Sequence, residues 1–291
     1  MSAPADVAVP TVVELAAGPL RVALRPDLGG SIAGCWHDGV PVLRSSEPLA
    51  LAGARAAGCF PLVPYSNRIA LRRFRWQGHD YTTAPNFDDS PHSLHGNAWL
   101  RAWQLVDADA ASARLRLDSV PDADWPFAYR VEQRIAASAG RLVLELEFTN
   151  TDARAQPVGL GWHPYFPKRQ RSRLHIEIAE RWESDASGLP TRRVAQPGID
   201  GDVAHLGFDH CFEGWRGAAR LRDEQFALAL ESSLRYLVVY TPATRPYYCV
   251  EPVSHLSNAI HMAEPAVHGL VRVDPGATLS AQMQLSIEAV R

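Results

Sequence analysis

Apolar residues recur at every second position along much of this chain, and nowhere with convincing helical spacing. Within residues 141–148, Leu142, Leu144, Leu146 and Phe148 fall on one face of an extended segment. Leu174, Ile176 and Ile178 repeat the pattern, as do Leu279, Ala281, Met283, Leu285 and Ile287. Shorter alternations occupy Leu20–Leu24, Leu115–Leu117 and Phe226–Leu230. A side-chain period of two belongs to strands. The run Tyr236–Tyr240 is apolar on both faces, as a central sandwich strand is. The 22 prolines and 20 glycines among 291 residues break the pattern at short intervals, so the strands are short and turns frequent. These features predict an all-β chain, a large antiparallel β-sandwich. No stretch reads as a linker, so one domain is expected over 1–291, with 1–10 a flexible N-terminal lead-in. The polar stretch from about Glu183 to Asp202 holds Gly188, Pro190, Pro197, Gly198 and Gly201, and reads as a long surface loop.

Composition removes several function classes. Lysine and arginine number 29 against 32 aspartates and glutamates, a net charge of −3, so the basic excess that binds nucleic acid is missing. A hydrophobic content of 46% is too high for wholesale disorder. No run approaches the roughly 18 consecutive apolar residues of a membrane helix. The opening MSAPADVAVP has neither the basic head nor the apolar core of an export signal, so a cytoplasmic location is expected. Cys35, Cys59, Cys211 and Cys249 lie far apart. They are expected to be free thiols filling the core, and their spacing does not suggest a zinc site.

Three segments abandon the alternation and gather polar groups among aromatics, and such departures mark candidate sites. In Phe60–Ile69, Asn67 and Arg68 follow two prolines; a guanidinium fork there holds either a carboxylate and hydroxyls or loop carbonyls. In Pro91–Trp99, His92 and His95 are three apart. A metal pair is one reading, and Pro91 and Gly96 favour a loop or strand end over a helix. In Leu160–Phe166, His163 sits between Trp162 and Tyr165, a mix that suits a small-ligand pocket or a satisfied core histidine. Glu251 closes the apolar run Tyr247–Val250. A buried carboxylate there has a raised pKa unless it is partnered, which suits a general base.

Taken together these segments resemble the aldose 1-epimerase (galactose mutarotase) family. Five signatures occur in order along nearly the whole chain: Asn67-Arg68-Ile69 with the hairpin Phe74 to Tyr81; His95-Gly96 leading to Trp103; His163-Pro164-Tyr165-Phe166; Phe208-Asp209 to Phe212; and Glu251-Pro252 with Asn258 downstream. The resemblance implies a large antiparallel β-sandwich and an isomerase that interconverts the α and β anomers of a free aldose such as glucose or galactose. It implies Glu251 as general base and His163 as general acid. Arg68, His95, Asp209 and Asn67 would bind the sugar, with Trp162, Tyr165 and Phe166 as an aromatic wall. It implies no cofactor and no metal, a small-molecule sugar as partner, no membrane or nucleic acid, and a monomer or homodimer. Residues 97–101 and 253–257 depart from the usual continuation after the second and fifth signatures, which leaves the sugar open.

Four alternatives stand beside this reading. Arg68, Arg72, Arg73 and Arg75 lie within eight residues, and a phosphate favours arginine forks, so a hexose-6-phosphate mutarotase is one. Alternate strand positions point opposite ways, however, and cannot all meet one ligand. A non-catalytic carbohydrate-binding protein of the same fold is the second. A glycoside hydrolase using Asp209 and Glu251 is the third. A metal-dependent isomerase using His92, His95 and His163 is the fourth.

Overall fold

The computed structural model describes residues 10–87 and 90–290. The lead-in expected over 1–10 lies, Pro10 apart, outside them. Antiparallel sheets dominate, as the period of two requires. The largest has nine strands, in the order Gln104–Ala108, Ser112–Ser119, Tyr129–Ser138, Arg141–Asn150, Thr278–Ala289, Phe226–Ser232, Ala218–Arg222, Arg173–Ile176 and Ile199–Asp202. A second sheet has eight: Pro190–Ala195, Glu180–Ser184, Asp209–Glu213, Tyr236–Tyr240, Tyr247–Val253, Gly161–Trp162 and Pro61–Leu62, with Tyr165–Pro167 pairing on Tyr247–Val253. The N-terminal strands Val13–Ala17 to Val40–Pro41 make a smaller four-stranded sheet. Every helical segment among the described residues is a single three-residue 3-10 turn.

The strand period sorts the side chains of the eight-stranded sheet into two clusters. Leu142, Leu144, Leu146 and Phe148 bury against Phe212, Leu237, Val239, Val250, Trp162 and Phe166 of the eight-stranded sheet in one large core. The alternate residues of the same strands, Cys211, Tyr236, Val238, Cys249, Tyr165 and Val253, form a second cluster. Thus Tyr236–Tyr240 is the central strand expected of its composition, with one face in the core and the other in this second cluster.

The expected loop from Glu183 to Asp202 is corrected. Glu180–Ser184 and Pro190–Ala195 pair as a hairpin, and Ile199–Asp202 pairs with Arg173–Ile176. The hairpin is at the edge of its sheet; its outer strand leaves most side chains in water and its inner strand is half-buried throughout most of its length, so no apolar alternation marks it. Polar contacts hold it instead: Arg193 bridges Glu180 at 3.2 Å and Glu213 at 3.5 Å. All four cysteines are free and buried, as expected.

Candidate active site

Strand register assembles the floor of a cavity of about 310 Å³. Asp209 pairs with Tyr240, Tyr240 with Cys249, and Cys249 with Tyr165, a row across four strands. The next row on that face sets Val238 against Glu251. On the far side, Gly161 pairs with Val253 and Tyr165 with Cys249. The position midway between these pairs is His163 opposite Glu251. Their side chains meet, with His163 Nε2 3.5 Å from Glu251 Oε1. Both are nearly sealed, 8% and 2% exposed.

The opposite wall comes from two loops. Arg68–Ile69 pairs with Ser93–Leu94, and each strand ends in a left-handed residue, Asn67 at φ 56° and His95 at φ 64°. A non-glycine side chain seldom adopts this conformation, and it persists where the surroundings hold it. Here Asn67 N–H donates to His95 Nδ1 at 3.1 Å and His95 N–H to the Asn67 carbonyl at 2.8 Å. Nδ1 is thereby an acceptor, so Nε2 carries the ring proton. Gly96 follows at φ 70°, where a Cβ would lie 2.0 Å from the Val63 carbonyl oxygen. Arg68 Nη1 and Ser257 Oγ both donate to Asn67 Oδ1 at 2.9 Å. Asn258 N–H donates to the Arg68 carbonyl at 2.9 Å, and its Oδ1 accepts from Ala70 N–H at 3.0 Å. The asparagine downstream of Glu251 thus braces the Arg68 loop.

Burial sets the protonation of the pair. It pushes the Glu251 carboxyl well above the usual range, and the Asp209 carboxylate adds to this while Arg68 opposes it. Burial likewise holds His163 well below the ordinary imidazole value, with His95 and Arg44 adding to the effect. His95 falls to about 3, through burial and then the charges of Arg68 and Arg55. In the empty cavity, burial therefore favours the neutral form of each group, glutamic acid and imidazole.

Arg68, His95, Asp209, Asn67, Tyr165, His163 and Glu251 all line this cavity. Trp162 does not, which corrects its place in the aromatic wall. It is fully buried on the core face, its Nε1 donating to Gln133 Oε1 at 3.2 Å. Phe166 is in the core too, stacked on Tyr248 at 5.6 Å. Both point away because His163 and Tyr165 take the cavity face of the same extended segment. The aromatic lining comes instead from Phe60, Phe87, Trp99, Tyr240 and Tyr247. Of these, Tyr247 and Tyr240 carry a readable signal, since each shares the parity of a site residue on its own or a paired strand. Arg55 and Arg245 come from irregular turns, and no pattern announces them.

Two of the alternatives rested on clusters that the structure does not form. Arg72, Arg73 and Arg75 do not converge with Arg68: Arg73 and Arg75 are exposed on their hairpin with Phe74 buried between them, and Arg75 reaches Asp80 at 4.0 Å. His92 is not in the cavity; its Nδ1 accepts from Leu71 N–H at 3.0 Å. Among the described residues, the grouping whose ligand atoms all lie within 4.8 Å is His163, Cys249 and Glu251. Burial pushes both the Cys249 thiol and the Glu251 carboxyl upward. A metal there would have to displace both protons. No helix among the described residues is long and apolar enough to cross a membrane.

The paired sheets and the buried histidine–glutamate floor define a galactose mutarotase-like β protein. The chain belongs to the aldose 1-epimerase family, whose model matches residues 11–286. It is 32% identical to the uncharacterized protein YphB of Escherichia coli K12, over 96% of this chain and 99% of that one. Among solved structures, a candidate aldose 1-epimerase of Escherichia coli K12 aligns with a TM-score of 0.87 at 30% identity, covering 96% of this chain and 99% of the other. A galactose mutarotase-like protein of Clostridium acetobutylicum aligns at 0.84 and 21% identity, over 97% and 96%, and shows the shared fold.

Proposed function

We propose that the chain interconverts the α and β anomers of an aldose such as glucose or galactose by ring opening and closure. The observation that carries this is the approach of His163 Nε2 to Glu251 Oε1 at 3.5 Å on the cavity floor. Ring opening needs one proton taken from the C1 hydroxyl and one given to the ring oxygen. In the starting state Glu251 is a carboxylate and His163 an imidazolium. Glu251 takes the C1 proton while His163 releases its own to the ring oxygen, and the C1–O5 bond breaks to the aldehyde. Rotation about C1–C2 presents the other carbonyl face, and closure returns both protons. The pair holds one proton before and after binding. The arrangement that burial favours, glutamic acid beside neutral imidazole, is the one that faces the open-chain aldehyde.

The remaining groups would bind and orient. His95 donates from Nε2 to a sugar oxygen, and Arg68 donates to others. Asp209, at the exposed end of its strand, accepts from hydroxyls. The cavity is at the small end for ligand sites, about 300–1,000 Å³, as a monosaccharide requires. Polarimetry from pure α-D-glucose and α-D-galactose tests the reading. Wild type should accelerate the approach to equilibrium, and Glu251→Gln should lose about 10²-fold or more of that, the usual worth of a positioned base. Near-native turnover by the variant would remove Glu251 from the role.

A further inference from the structure

We propose that the sugar turned over here carries an anionic group, a phosphate or a carboxylate, on a carbon other than C1, gripped by Arg55 and Arg245 at the cavity mouth. This rests on the mutarotase reading and narrows its substrate class. Three guanidinium groups line the cavity, those of Arg55, Arg68 and Arg245, against the carboxyl groups of Asp209 and Glu251. The His163–Glu251 pair with one proton is neutral overall in either arrangement. Asp209 is then left as a single negative charge facing three cations. A neutral aldose offers nothing to balance that excess.

The two outer arginines are placed independently of each other. Arg55 lies in the turn Ala54–Ala56, its guanidinium 3.9 Å above the Phe87 ring and its carbonyl accepting from Arg44 Nη2 at 2.7 Å. The aromatic face fixes the head group while its edge N–H donors stay available. Its charge is felt at His95, so it borders the reacting end. Arg245 lies in the turn between Tyr236–Tyr240 and Tyr247–Val253, and its charge is felt at Tyr240 beside Asp209. Neither forms an ion pair among the described residues. The C1 hydroxyl and ring oxygen must face Glu251 and His163, so the charged substituent sits on another carbon. Arginine forks match the oxygens of phosphate and carboxylate alike.

Anomer exchange measured by NMR gives kcat/KM for glucose, glucose 6-phosphate and glucuronate, and for the three galactose counterparts. One charged sugar should exceed its neutral parent by about tenfold or more, the lower end for a charged hydrogen bond. Which of the two leads distinguishes phosphate from carboxylate. The preference should shrink as salt is raised, and Arg55→Gln/Arg245→Gln should bring it to parity. Both side chains are exposed, and the salt series on wild type gives a readout that needs no variant. Equal or better turnover of the neutral parents overturns the proposal and leaves the mutarotase reading standing. A preference that survives the double variant overturns it as well. Turnover of none of the six sugars overturns both.

Discussion

Tyr165 lies flat on His163, ring centroids 4.4 Å apart and 9° from parallel. The Arg44 guanidinium sits 3.6 Å from the Tyr165 centroid. Two groups this close to one ring occupy its two faces, so the phenol is sandwiched between imidazole and guanidinium. Arg44 is itself anchored, its Nε donating to the Ala57 carbonyl at 3.0 Å. A ring covered on both sides cannot stack on a sugar. Tyr165, expected as part of the aromatic wall, packs instead on the imidazole, with its hydroxyl 3.4 Å from His163 Nε2.

Replacing Tyr165 separates these roles. Tyr165→Phe keeps the stack and loses the hydroxyl, and should retain most of kcat. Tyr165→Ala frees the imidazole and should lower kcat by about tenfold to a hundredfold while KM moves little, since misplacement by about 1 Å costs on that scale. Rescue by phenylalanine is the deciding feature. If both variants lose kcat equally, the hydroxyl rather than the stack is what His163 needs.

Glu251 should make the protein less stable as pH rises. Its carboxyl is raised in the folded state by burial, so the native chain holds the proton more tightly than the unfolded one. The sign follows from linkage: this contribution is fully present below the unfolded value near 4.5 and is lost as pH climbs towards the raised folded value. Each unit of difference costs about 1.4 kcal/mol. Glu251→Gln removes the titration, so its melting temperature should exceed that of wild type at pH 7. The gap should close below about pH 4.5. A wild type that melts at the same temperature or higher at pH 7 would contradict the buried, protonated carboxyl.

The strands that carry His163 and Glu251 were legible in the chain, but the register that sets the two side chains against each other was not. Period two marked the sheets, and the segments that break it held several of the cavity residues, among them Phe60, Asn67, Arg68, His95 and His163. What the pattern leaves open is which parity faces the cavity. Trp162, Tyr165 and Phe166 look equally suited to a sugar wall, yet a strand sends neighbours to opposite faces, so His163 and Trp162 cannot both line one site. The Glu180–Ala195 hairpin was unreadable because its strands are exposed or half-buried on both faces and so show no apolar alternation. Arg55 and Arg245 were hidden for another reason: they lie in turns, where side-chain direction follows backbone detail and not periodicity.

The core placement of Trp162 has a consequence opposite to that of Tyr165. Trp162→Phe removes the indole donor from the buried Gln133 Oε1 and leaves a void on the core side. The lost partner alone costs about 1–3 kcal/mol. The urea midpoint should fall accordingly, while kcat and KM of the folded enzyme stay close to wild type. A selective rise in KM with an unchanged midpoint would return Trp162 to the sugar wall.

Gly188 tests how Arg68 is held. It lies between the strands Glu180–Ser184 and Pro190–Ala195 at φ +82°, against the Arg68 guanidinium. A Cβ there would come within 2.6 Å of Arg68 Cζ, and a left-handed backbone position already disfavours alanine. The preceding turn is fixed by Asp185 Oδ1, which accepts from Ser187 N–H at 2.8 Å and Leu189 N–H at 3.1 Å, so the loop resists moving aside. Arg68 must shift, and with it go its hydrogen bond to Asn67 and its place in the cavity wall, where it is proposed to bind the sugar. Losing one charged hydrogen bond costs about 1.5–3 kcal/mol, roughly ten- to a hundredfold in kcat/KM. The loss should fall mainly on KM, because the His163–Glu251 contact is made by other strands. Gly188→Ala with native KM would mean that the loop yields and that Arg68 is held from the Asn67 and Asn258 side alone.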